Sequence, residues 1–158
     1  MSKPNFVYVT YIAAPPEKVW QALTQADLSE QYWFGYRVTA DGKAGDHMTA
    51  VSPAGKLAHD DPILESDPPR RLVYAWKPLY KDMQGERASR VSFELEPLKG
   101  QTKLTVVHDE FDEGSKIFGM ISQGWPAVLS SLKSFLETGK GLAPTWDDKA
   151  QMRAATEA

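Results

Sequence analysis

Apolar and polar positions follow two different periods along this chain, and the change of period divides it. Phe6 to Ile12 is rich in β-branched and aromatic residues and predicts a strand. Ala13 to Pro16 ends it, since consecutive prolines cannot donate to a sheet. Val19, Trp20 and Leu23 then share a helical face, so Pro16 to Thr24 predicts a short amphipathic helix with Glu17 at its positive end. Asp27 followed by Glu30 resembles a capping box opening a second short helix toward Trp33.

The following segments have the two-residue period of strands. Tyr36 to Ala40 ends at the turn signal Asp41-Gly42, and Asp46 to Val51 ends at Ser52-Pro53. Lys56 to Ser66 contains Pro62, which suggests an edge or a bulge. Arg71 to Lys77 alternates, and Arg90 to Glu96 does so cleanly, with Val91, Phe93 and Leu95 opposite Ser92, Glu94 and Glu96. Lys99-Gly100 turns into Thr102 to Glu110, where Leu104, Val106 and His108 share a face. From Ser115 to Thr138 the apolar steps become three and four, predicting one long amphipathic helix. Gly124 and Pro126 predict a kink or two abutting helices there, and Gly139 and Gly141 a C-terminal cap. Residues 1–141 read as one domain and 142–158 as a tail holding at most a short helix.

Composition narrows the class. The 158 residues carry a net charge of -3 and no cysteine, which excludes disulfides and argues against a nucleic-acid partner. No apolar run approaches the roughly twenty residues of a membrane span, and the N-terminus lacks a signal peptide's apolar core, so a cytoplasmic protein is expected. Five Trp, six Tyr and six Phe must line either a solid core or a pocket.

Strand, helical hairpin, antiparallel strands and a long last helix form the order of the helix-grip fold. The segments APPEKVWQALT, Tyr32-Trp33-Phe34, DPPRRLVYAW, VSFELEP, TKLTVVHDEF and GWPAVLSSLKSFLE resemble the family of homologues of the activator of the heat-shock-protein-90 ATPase. That family lies within the superfamily of START, polyketide-cyclase and pollen-allergen-like domains. The resemblance implies an α+β fold whose curved antiparallel sheet, of about six or seven strands, wraps around the C-terminal helix and leaves a cavity between them. It marks the fold more sharply than the function, because the superfamily hosts carriers, cyclases and interaction modules.

The expected ligand-binding set is Trp33, Met48, Tyr74, Trp76, Phe93, His108, Phe118, Ile121 and Trp125, with Met120 as a further filler. A hydrophobic or aromatic small molecule in a cavity of several hundred cubic ångströms is the leading expectation, against rings that simply fill a core. His108 points inward. It serves either as a ligand contact and acid-base group or as a histidine held by a neighbour at the sheet rim. His59-Asp60-Asp61 and His47 lack metal-ligand spacing and are expected in a solvated loop. Arg70, Arg71 and Lys77 are either anion contacts or flanking surface charges. No phosphate loop or nucleophile elbow occurs, so no cofactor and no metal are expected. The alternatives are a co-chaperone-like or stress-response protein that works through a protein partner, as monomer or homodimer, and a cyclase or hydrolase that uses His108.

Overall fold

The computed structural model describes residues 5–80 and 85–144. Ten elements follow in order: β1 (Phe6–Ile12), α1 (Pro16–Thr24), α2 (Ala26–Tyr32), β2 (Arg37–Thr39), β3 (His47–Val51), β4 (Leu57–Asp67), β5 (Arg71–Trp76), β6 (Ser89–Leu98), β7 (Gln101–Asp109) and α3 (Lys116–Thr138). The seven strands form one antiparallel sheet in the order β1-β7-β6-β5-β4-β3-β2, curled into a half-barrel around α3. This is the α+β helix-grip architecture. Its strands meander because short turns join neighbours. At the β6–β7 turn both Lys99 and Gly100 have positive φ, the twist that matches a two-residue hairpin.

Inward positions of β5, β6 and β7 (Leu72, Tyr74, Val91, Phe93, Leu95, Leu104, Val106) meet Ile117, Ile121, Trp125, Val128, Leu129 and Leu132 of α3 in one buried core. The period-2 and period-3.6 apolar faces thus cover each other. Ser115 caps α3, accepting from Phe118 N–H at 3.1 Å, while the Glu86 carboxylate accepts from Lys116 N–H at 2.9 Å. Negative charge at a helix N-terminus is favourable. Near its other end α3 covers the open edge of β1. Lys133 Nζ donates to Tyr11 O at 2.6 Å, and Ala13 N–H donates to Glu137 Oε2 at 2.8 Å.

Several local expectations need correction. Two abutting helices do not form at Gly124 and Pro126: α3 is one 23-residue helix. The buried run Trp125, Val128, Leu129 and Leu132 continues across the proline. Asp27 and Glu30 form no capping box; both carboxylates grip Arg37 of β2, Asp27 at 2.8 Å. Of the edge or bulge expected from Pro62, the bulge alternative fits: the Lys56 to Ser66 segment is β4, an eleven-residue strand between β3 and β5. Its register shifts beside Ala58 and again beside Leu64. Pro62 has no N–H to give, and the β4–β5 ladder ends at Ile63–Tyr74.

Gly139 is the left-handed cap of α3, with φ 87° and its N–H on Phe135 O at 2.8 Å. Gly141 has a different role from the one expected. A Cβ there would lie 2.6 Å from Gln31 O and 3.0 Å from Tyr32 Cα, so glycine lets the chain pass over α2. The expected tail is described only through Pro144; a short helix beyond it lies outside the described residues.

Two substitutions separate these glycines. Gly139→Ala should cost about 1 kcal/mol from left-handed strain. Gly141→Ala should cost about 1–3 kcal/mol, because backbone must move. Urea denaturation midpoints compare them, and a Gly141→Ala loss well below about 1 kcal/mol would contradict the close approach at Gly141.

Candidate ligand cavity

Between the sheet and α3, where a cavity was expected, aromatic rings pack closely. Trp125 is at their centre, with Trp33, Trp76 and Phe93 at ring-centroid distances of 5.5, 5.3 and 5.8 Å. Tyr74 packs against Phe93 in a tilted arrangement at 5.6 Å, its hydroxyl buried with no hydrogen-bond partner. Ile121 is buried in the same core, and half-buried Phe118 meets Phe111 edge-on at 5.2 Å. Met120 faces solvent, not the interior.

His108 is fully buried and fully used. Trp125 Nε1–H donates to its Nδ1 at 3.0 Å, so the proton must sit on Nε2, 2.7 Å from Ser89 Oγ. Ser89 passes its own hydrogen to Trp76 O at 3.1 Å. Burial, with a smaller contribution from nearby His59, lowers its pKa to about 3. The ring has no lone pair or proton left for a ligand.

The cavity lies to one side, against β2, β3 and β4. It has a volume of about 90 Å³ and is lined by Trp33, Tyr36, Val38, Met48, Ala50, His59, Trp76 and Tyr80. Trp33, Met48 and Trp76 of the expected set are brought together here. Tyr74, Phe93, His108, Phe118, Ile121 and Trp125 are not among the lining residues.

Local folding explains the lining. After α2 the chain reverses through Phe34 and Gly35, both at positive φ, and Tyr36 N–H bonds Trp33 O at 2.9 Å, so both rings turn toward β3. Buried Ser29 accepts from Val38 N–H at 2.7 Å and lies 3.0 Å from Tyr36 O, fixing β2 to α2. At the β4 irregularity, Leu79 N–H donates to Ala58 O at 2.9 Å and brings Tyr80 alongside. The Tyr36 and Tyr80 hydroxyls lie 3.2 Å apart, and burial raises the pKa of both phenols.

The expectation of a solvated His59-Asp60-Asp61 loop is overturned. His59, Asp61 and Ile63 share the inward face of β4, and all three are buried. His59 Nδ1 lies 2.9 Å from Asp61 Oδ2, which also accepts Lys77 N–H at 3.2 Å, and the imidazole lies 4.1 Å from the Trp76 ring. His47 instead pairs with Asp60 at 2.8 Å on the exposed face. Among the described residues no acidic or histidine group is gathered as metal ligands. Arg70 and Arg71 are bound to surface carboxylates of Asp67, Glu65 and Glu94, and Lys77 contributes its backbone N–H.

A half-barrel gripping a long helix, with a small aromatic cavity on its flank, places the protein among START-like α+β domains. The chain belongs to the family described as activator of Hsp90 ATPase homolog 1-like protein, whose model matches residues 13–137. It is similar to protein MLL2253 from Mesorhizobium loti, at 27% identity and TM-score 0.72, covering 85% of this chain and 97% of that one. The Aha1 dimer from Colwellia psychrerythraea is similar at 26% identity and TM-score 0.69, covering 87% and 99%. At 20% identity, an HSP90 activator from Plasmodium falciparum shares the fold, with TM-score 0.67 and coverage of 86% and 96%. Comparison with curated proteins finds no match. Among the described residues no helix is long and apolar enough to cross a membrane.

The His108 arrangement predicts an acid-side loss of stability. The unfolded ring binds its proton near pH 6.5, whereas the folded ring resists until about 3. Stability from the neutral ring is therefore complete above about pH 6.5 and falls as pH drops toward 3, by up to about 1.4 kcal/mol per pH unit. Denaturant midpoints between about pH 6.5 and 5, above the usual carboxylate range, should show the slope, and His108→Gln should flatten it. An unchanged slope in the variant would refute the assignment.

Proposed function

We propose that the protein binds a small hydrophobic molecule in the flank cavity, seated against Trp33, Met48, Ala50 and Trp76. The cavity's aromatic lining carries this reading, since apolar walls with a few polar atoms are the usual make-up of a small-molecule site. About 90 Å³ is below the roughly 150 Å³ that accepts benzene in an engineered cavity. The site therefore takes a single small ring, or the end of a longer molecule, and admits nothing of lipid size without side-chain movement. In this reading it is a cytoplasmic binding domain that makes or breaks no bond.

Furan, a five-membered ring smaller than benzene, is a suitable probe. At a hundred times its dissociation constant it should add about 2.7 kcal/mol to unfolding stability. Ala50→Leu should fill the cavity, weaken furan binding by about tenfold, and keep the fold, because Ala50 already borders open space. Equal furan stabilisation of both proteins would show that the ring binds elsewhere.

A second reading is favoured by one observation: Val7, Val9 and Tyr11 form an exposed apolar row on the outer face of β1. The family's description suggests an Hsp90-type ATPase as its occupant. In that case this chain stimulates the ATPase and Val9→Lys abolishes stimulation; an inactive wild type sinks that reading.

A further inference from the structure

Resting on the cavity reading, we infer that the ligand is a small aromatic molecule carrying one hydrogen-bond donor, and that His59 Nε2 is its acceptor. Such a donor is the N–H of a pyrrole-like ring or the O–H of a phenol. The argument begins at Asp61. Its Oδ2 accepts the backbone N–H of Lys77, a group that can only donate, and the same oxygen faces His59 Nδ1 at 2.9 Å. Nδ1 therefore carries the hydrogen, and in the neutral tautomer this fixes, Nε2 holds a bare lone pair. His59 lines the cavity, and among the described residues Nε2 has no hydrogen-bond partner.

The neighbours hold the ring rather than saturate it. Trp76 covers one side at a centroid distance of 4.1 Å, and the Asp61 carboxylate holds the Nδ1 edge at 2.9 Å. His108 stands nearby with both nitrogens committed to Trp125 and Ser89, so it cannot supply a hydrogen to His59. A dry hydrocarbon in this cavity leaves Nε2 unpaired, whereas a flat ring with one donor satisfies it and keeps the aromatic contacts. The two inner histidines thus take opposite tautomers: His108 is internal structure, and His59 is a receptor for a donor.

Pyrrole and furan test this directly. They are nearly isosteric, small enough for the cavity, and differ in that pyrrole donates and furan cannot. NMR titration of the wild type should give pyrrole about five- to tenfold tighter binding than furan, the worth of one net hydrogen bond. In His59→Phe the preference should vanish. That variant leaves the Asp61 carboxylate without its ring partner and can fail to fold, so the double variant His59→Phe/Asp61→Leu, free of the buried charge, serves as the second arm. Equal affinity for pyrrole and furan in the wild type, or a pyrrole preference kept in either variant, would overturn the assignment while the cavity reading stands. If neither ring binds the wild type, the cavity reading itself fails, and this inference with it.

Discussion

A buried indole N–H has to be satisfied inside an apolar core, and the way it is satisfied organises the rest of the molecule. Trp125 stands at the middle of the face that α3 turns to the sheet, and its Nε1–H finds His108 on β7. The line continues through Ser89 on β6 to the carbonyl of Trp76 on β5. One chain of hydrogen bonds therefore registers the long helix against three adjacent strands. Leaving any of these groups unpaired in such a place costs about 1–3 kcal/mol, so the helix has one preferred seat.

That seat also shapes the aromatic interior. Trp125 gathers Trp33, Trp76 and Phe93 around it in the space between helix and sheet. A cavity opens on the flank, against β2, β3 and β4. Trp33 and Trp76 belong to both regions, touching Trp125 on one side and lining the cavity on the other. The polar groups are divided in the same way. His108 is enclosed and neutral, while His59, held by Asp61, lines the cavity.

Most of the fold could be read from periodicity. The clean alternation of Val91, Phe93 and Leu95, and the three-four steps from Ile117 to Leu136, predicted the strands and helix that enclose the core. The inward aim of His108 was also legible, because it continues the phase of Leu104 and Val106. β4 was harder. Pro62 and two register shifts break its pattern, so His59, Asp61 and Ile63 did not stand out as one face although they lie two apart. Tyr36, Val38, Ala50 and Tyr80 were missed because nothing local marks a residue as lining empty space. That property belongs to the curvature of the sheet and to the turn through Phe34 and Gly35. Gly141 was misread for a similar reason: its need is a close approach to α2, which is far away in sequence.

The central claim is that two buried histidines hold their protons on opposite nitrogens, one closed to ligands and one open. Imidazole nitrogen NMR of the intact protein at about pH 8, where free rings are neutral, measures this most directly. The account predicts that His108 carries its proton on Nε2 and His59 carries its proton on Nδ1. Finding His59 protonated on Nε2, or both rings in the same tautomer, would contradict it.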